Sequence, residues 1–324
     1  MIPRNRWILV QAVLSMGLLA FLLRSLDLAA FRTLFARLPL WFYLLSLLVV
    51  LGGQVVYAWR WRLLLAEAGV RVPLLLTVRQ YFIGTFLNNF LPSTVGGDVG
   101  KVYFLGRDHG YRVVMASVVL DRMLGLAMLA VWATLALWLF RMPSPVLAAA
   151  RLAVTAIAAL LAAILIVTGI GTGGLAARVA WLGPRGVAFA EHLQQFRIDM
   201  AVSLRSPLLM LQAALAVIGY ALAAGAVYVI FIRIQTGTAP PFMMTTGVVM
   251  ATAVLSNIPV SLNGLGLREQ LHALLLAPLG VPREVAVAVS LLFFGHLLVS
   301  SLFGAGFWIQ SRPLRRRPAE PLGT

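Results

Sequence analysis

Long apolar runs separated by short, basic segments make up most of this chain. Trp7–Leu23, Leu40–Trp59, Leu74–Phe90, Val113–Phe140, Val146–Ile170, Leu208–Ile232, Met243–Leu262 and Val285–Ile309 are each near the length of a bilayer-crossing helix. The first follows Arg4 and Arg6 and precedes no small-x-small cleavage site, so it is expected to be retained as a span. Two runs are broken by polar sequence. One ends in NNFLPSTVGGDVGK, from Asn88 to Lys101, and the other in NIPVSLNGLGLRE, from Asn257 to Glu269. Pro92 and Pro259 each remove a backbone donor, and the glycines around them loosen the chain. Such backbone survives at membrane depth only where protein buries it or a wet cavity solvates it, and ionisable residues there are candidates for function. The one extended hydrophilic stretch, Arg178–Ser206, spaces Trp181, Val187, Phe189, Leu193, Phe196 and Met200 near helical period. It is expected to form an amphipathic helix on the membrane surface.

The two broken stretches align. With Pro259 over Pro92, an offset of 259 − 92 = 167, Gly264 falls over Gly97 and Arg268 over Lys101. If each break is the tip of a re-entrant hairpin, nearly every basic segment faces one side. The segment of Arg24, Arg32 and Arg37 is the exception. The expected fold is an all-α polytopic membrane protein of about six full transmembrane helices plus two broken hairpins, arranged as an inverted repeat. The alternative lets Met243–Leu262 and the run after it cross fully, for about eight spans. One transmembrane domain would cover residues 1–310, with halves of about 1–142 and 143–310. A basic, proline-rich tail at 311–324 would be disordered and cytoplasmic, as would the N-terminus.

Composition agrees. Of 324 residues 61% are hydrophobic and only 11% charged, and the mean hydropathy of +0.94 is far above that of a soluble domain. The absence of cysteine excludes disulfides and thiolate metal sites. A net charge of +16 would suit nucleic acid, but the arginines sit in short segments between apolar runs, as cytoplasmic loops facing anionic lipid require. Glu269 and His272 have the Glu-x-x-His spacing of carboxylate-bridged metal sites, which need it twice; it occurs once, so neither metal nor other cofactor is expected. His296, inside the last run, reads as a packed, hydrogen-bonded histidine. No serine-histidine-aspartate order, nucleophile elbow or phosphate loop is present.

The residues left for chemistry lie in and beside the breaks. Lys101, Arg122 and Arg268 suit an anionic group such as a lipid phosphate. Gly96, Gly97, Gly264 and Gly266 would bring backbone N–H groups toward it. Asp98, Asp121 and Glu269 would balance those cations, bind an amine or carry protons; alternatively, the Asp98–Lys101 and Arg268–Glu269 pairs only neutralise a buried turn. Asn88, Asn89, Asn257 and Asn263, with Pro92 and Pro259, complete the candidate substrate-binding set. Asp121 and Arg122 are about 100° apart on a helix, so each needs its own partner, most simply on a hairpin.

These stretches resemble a known family. NNFLPSTVGGDVGK, VVLDRMLGL at Val118–Leu126 and NIPVSLNGLGLRE are similar to three signatures of the flippase-like proteins related to the transmembrane domain of lysylphosphatidylglycerol synthase. This chain departs at Ser93 and Thr94, where glycines are common. It also has Lys101 for arginine, Asp121 for glutamate and Asn263 for glycine, changes that bear on headgroup preference. The resemblance implies an integral inner-membrane protein that moves lipid-linked molecules between leaflets, with membrane lipids of anionic or zwitterionic headgroup as its partners. In the synthases a soluble domain after the membrane part makes the aminoacylated lipid; with the chain ending at Thr324, no such enzyme activity is expected. The rival readings are a membrane enzyme acting on a lipid phosphate through Asp98, Asp121 or Glu269, and an accessory subunit of an envelope assembly.

Overall fold

The computed structural model describes residues 28–90, 96–170, 183–204, 206–258 and 264–310, and among these the chain is helical throughout, with no strand. The first apolar run, the tail and both hairpin tips lie outside the described residues, and with them Pro92, Pro259 and Asn263. Among the described residues five helices are long and apolar enough to cross a membrane: α2 (Leu40–Glu67), α5 (Tyr111–Leu139), α6 (Pro145–Ile170), α8 (Pro207–Thr236) and α11 (Arg283–Gln310). A short α1 (Leu28–Ala36) precedes α2. The broken stretches become two pairs: α3 (Leu74–Phe90) with α4 (Gly96–His109), and α9 (Phe242–Leu255) with α10 (Leu267–Leu276).

Each pair is a hairpin of side-by-side arms rather than one interrupted span, because its arms pack on each other. Gly97 lies against the backbone carbonyl of Gly84, an approach that a Cβ at Gly97 would block. With 14, 14 and 10 residues, α4, α9 and α10 reach only about 15–21 Å at 1.5 Å per residue, short of a hydrocarbon core of roughly 30 Å. Neither hairpin crosses, so the eight-span alternative fails on length. As an arm wrapped in protein should be, α9 is almost wholly buried from Met244 to Val254, threonines included.

Packing shows the repeat more clearly than sequence does. The last span of the first half, α5, packs along α9 of the second hairpin; the last span of the second half, α11, packs along α3 of the first. Likewise α2–α3 matches α8–α9, α4–α5 matches α10–α11, and α2 and α8 meet each other across the pseudo-axis. Because the hairpins return, the five full spans alternate direction along the chain. Thus α2 runs opposite to its counterpart α8, and α5 opposite to α11, which is an inverted repeat.

Two expectations change. The helix begun at Leu40 continues to Glu67, so Tyr57, Arg60 and Trp61 belong to its packed interior rather than to an interfacial belt. Trp61 is fully buried, with its indole N–H donating to Ser117 Oγ at 3.1 Å. The amphipathic segment is a helix, α7 (Gly183–Leu204), but its C-terminal part does not rest on the membrane surface alone. Met200, Ala201 and Ser203 are buried, and Ser203 Oγ donates to Leu64 O at 3.2 Å. His296 is packed, as anticipated, with Nδ1 2.7 Å from Leu292 O and Nε2 3.4 Å from Ser46 Oγ.

Single cysteines at Arg107 and Thr238, both exposed in this otherwise cysteine-free chain, should be labelled by an impermeant maleimide from opposite faces of a sealed vesicle. Labelling of both from the same face would overturn the inverted arrangement.

A cationic cavity between the hairpins

A cavity of about 440 Å³ opens where α2, α3, α4, α5, α8, α9, α10 and α11 converge, a size suited to a small polar molecule or a lipid headgroup. Its polar wall is built around Asp121 on α5. Asp121 is buried, and two neighbours donate three hydrogen bonds to it, two to its carboxylate and one to its backbone carbonyl. Arg60 Nε on α2 donates to Oδ1 at 2.7 Å, Arg60 Nη2 donates to the Asp121 carbonyl at 2.9 Å, and the Tyr81 hydroxyl on α3 donates to Oδ2. Arg60 can lie there because Gly125, one turn along α5, has no side chain; a Cβ would come within 2.8 Å of its guanidinium. Gly125 is thus a contact surface.

The second carboxylate, Asp98, is the third residue of α4, where the helix N-terminus favours negative charge. It accepts from Arg122 Nη1 at 2.5 Å and lies 3.6 Å from Lys101 Nζ, one turn on. Lys101 also stands 3.5 Å above the Tyr81 ring, a cation–π contact. Asp121 and Arg122, facing different ways on α5, do find separate partners; the expected hairpin supplies Tyr81 and Asp98, and α2 supplies Arg60.

On the other side, Glu269 is the third residue of α10, in the place Asp98 holds in α4. Its Oε2 accepts the Gly266 N–H at 2.7 Å; its Oε1 accepts from Arg268 at 3.2 Å and from Ser290 Oγ at 3.1 Å. The structural register of the second arms is therefore 267 − 96 = 171, which sets Glu269 on Asp98 and His272 on Lys101, and replaces the alignment of Arg268 with Lys101.

Of the candidate residues, Asn88, Asp98, Lys101, Asp121, Arg122, Asn257, Gly264 and Arg268 line this one cavity. The others do not. Asn89 donates to Ser301 Oγ on α11. Gly96 opens α4 and is half-buried away from the lining. The Gly97 N–H is spent on Asn88 Oδ1 at 2.7 Å, which caps α4 across the break, so it is not an anion donor. Gly266 N–H is taken by Glu269, and Glu269 itself is fully buried behind Arg268. The two paired glycines also differ in kind. Gly264 has a left-handed φ of +74°, whereas Gly97 is helical and permits close approach.

Sequence reasoning missed Tyr57, Arg60, Tyr81, Tyr220, Tyr228 and, as a cavity residue, His272. Arg60 carried a signal, a charge within helical register of an apolar run, but its neighbours Trp59, Trp61 and Arg62 disguised it as an interface. The tyrosines offered none, since aromatic residues near run ends are first read as anchors. Four cations, Arg60, Lys101, Arg122 and Arg268, line the cavity against two carboxylates; counting Glu269 behind Arg268 leaves an excess of one positive charge.

Residues 8–304 match the family described as the lysylphosphatidylglycerol synthase TM region. A UPF0104 membrane protein of Pyrococcus horikoshii is 33% identical over 107 residues, which is 32% of this chain and 32% of that protein, so the match spans about a third of the relative's length. No solved structure matches the chain.

Arg60→Gln leaves the buried Asp121 uncompensated and should lower stability by about 3 kcal/mol. Gly125→Ala, which pushes the guanidinium away, should cost about 1–3 kcal/mol. Arg122→Gln, whose side chain is 39% exposed, should cost no more than about 1 kcal/mol. Thermal unfolding in detergent orders the three; equal losses for Arg60 and Arg122 would contradict this division.

Proposed function

Since the chain belongs to the family of the lysylphosphatidylglycerol synthase transmembrane region, we propose that it moves a lipid or lipid-linked headgroup between the leaflets of its membrane. What supports this reading is one observation: a headgroup-sized cavity with net positive lining lies at the meeting point of two short, oppositely related hairpins inside an apolar bundle. In the reading, the phosphate sits among Arg60, Lys101, Arg122 and Arg268 while the chains stay in hydrocarbon. Arg60 Nη1 is buried and has no protein partner, so it is a donor available to the phosphate. Arginine suits this task because its planar fork meets two oxygens at once. The wall of Tyr57, Tyr220 and Tyr228 gives the headgroup an amphipathic side to slide along; Tyr57 and Tyr220 join the two halves with ring centroids 5.3 Å apart. Alternate opening would come from rocking one half against the other around this fixed site.

The reading takes the protein as a transporter rather than an enzyme. Asp98 and Asp121, the carboxylates that reach the cavity, are each committed to ion pairs, which leaves neither placed as a free base or nucleophile. On the distribution of arginine, the reading includes an inner (plasma) membrane location with both termini on the cytoplasmic side.

The test is purified protein in liposomes carrying trace amounts of labelled lipids. Labelled lipid should cross leaflets and be recovered chemically unchanged. Arg122→Gln should slow crossing about tenfold, the loss of one charged hydrogen bond to substrate, with little change in melting temperature. Conversion of the label into a new lipid species would support the enzymatic reading instead.

A further inference from the structure

The cavity holds a second unpartnered group, of the opposite kind. His272 on α10 is 2% exposed and lines the cavity. Its Nδ1 is 2.9 Å from the carbonyl of Arg268. A carbonyl only accepts, so Nδ1 carries the proton. Nε2 is buried and has no protein partner. The Arg268 guanidinium one turn earlier already brings a positive charge to this end, and its carboxylate, Glu269, is engaged by Arg268, Ser290 and the Gly266 N–H. The ring stacks on Tyr228, centroids 5.1 Å apart, which fixes its plane. A second cation buried here would lack a counterion. The ring is therefore neutral, and Nε2 presents a lone pair. An unsatisfied buried acceptor costs free energy, and the natural remedy is a donor on the ligand.

Building on the translocation reading, we propose that His272 Nε2 determines headgroup choice by accepting a hydrogen bond from a hydroxyl or an ammonium N–H of the bound headgroup. Arg60 Nη1 serves the phosphate from the first half of the repeat, and His272 serves the donor from the second. The substrate class is thus a phosphodiester lipid whose headgroup carries a hydrogen-bond donor. Headgroups with the same charge but no donor fit the cationic wall and leave Nε2 unsatisfied.

Two charge-matched pairs isolate the donor: phosphatidylglycerol against phosphatidylmethanol, and phosphatidylethanolamine against phosphatidylcholine. Full-length protein in liposomes should move the donor-bearing member of each pair about tenfold faster. His272→Leu should erase that preference by slowing the donor-bearing lipids while leaving the others unchanged, and His272→Gln, which restores an acceptor, should recover part of it. Equal slowing of all four lipids by His272→Leu would show a packing role and overturn the proposal, as would wild-type protein that moves both members of a pair alike. Equilibrium binding of the same four lipids to detergent-solubilised protein separates this inference from translocation itself. Donor preference in binding without any leaflet crossing would uphold the site and sink the transport reading; binding without preference would sink the site.

Discussion

Charge inside hydrocarbon must be paired, and the pairing of Asp121 organises this protein. Its carboxylate reaches Arg60 on α2 and Tyr81 on α3 from a seat on α5, so one buried anion ties three helices of the first half. The pairing dictates side-chain size around it: Gly125 must be small for the guanidinium to enter, and Tyr81 must be aromatic to serve both Asp121 and Lys101. Such a cluster is weak evidence of stabilisation, since desolvating the ions offsets much of their attraction. Its value here is geometric, because it fixes cations at the edge of a cavity that would otherwise collapse or fill with lipid.

The second half repeats the backbone plan but not the chemistry. Both second arms begin with an acid at their third position, Asp98 and Glu269, where the helix dipole welcomes it. The first acid faces the cavity and shares two cations; the second is sealed away and caps its own helix. One turn further, Lys101 and His272 occupy equivalent places, one a cation over an aromatic ring and the other a neutral ring stacked on one. A near-symmetric frame thus presents an asymmetric pocket, with donors concentrated on one side and an acceptor on the other.

Much of this was legible in the sequence. Long apolar runs, two proline breaks and the charged residues in and beside those breaks pointed to the helical class, the hairpins and most of the charged side chains that line the cavity, because length and polarity are one-dimensional properties. The sequence also allowed for separate partners for Asp121 and Arg122. What it could not supply was depth. Arg60 sits in a basic, tryptophan-rich string whose composition is that of an interface, and only packing against α5 shows it to be interior. Gly97 and Gly264 align by spacing yet serve different ends, close approach in one and a left-handed turn in the other. The repeat alignment through the prolines slipped by a few residues for the same reason: turns vary in length, while helix starts, which capping fixes, keep register.

The exchange of packing partners between halves has a consequence for the order of assembly. The face of α3 that bears Phe82 is completed by α11, whose Gly304 lies against the Phe82 carbonyl, and α11 is the last of the described helices to leave the ribosome. The first hairpin is made early but cannot be seated until α11 has been made. Until then the hairpin, whose second arm is too short to span and carries Asp98 and Lys101, needs a temporary shelter. A chain truncated before α11 would therefore leave unsettled not its own end but a polar loop synthesised long before.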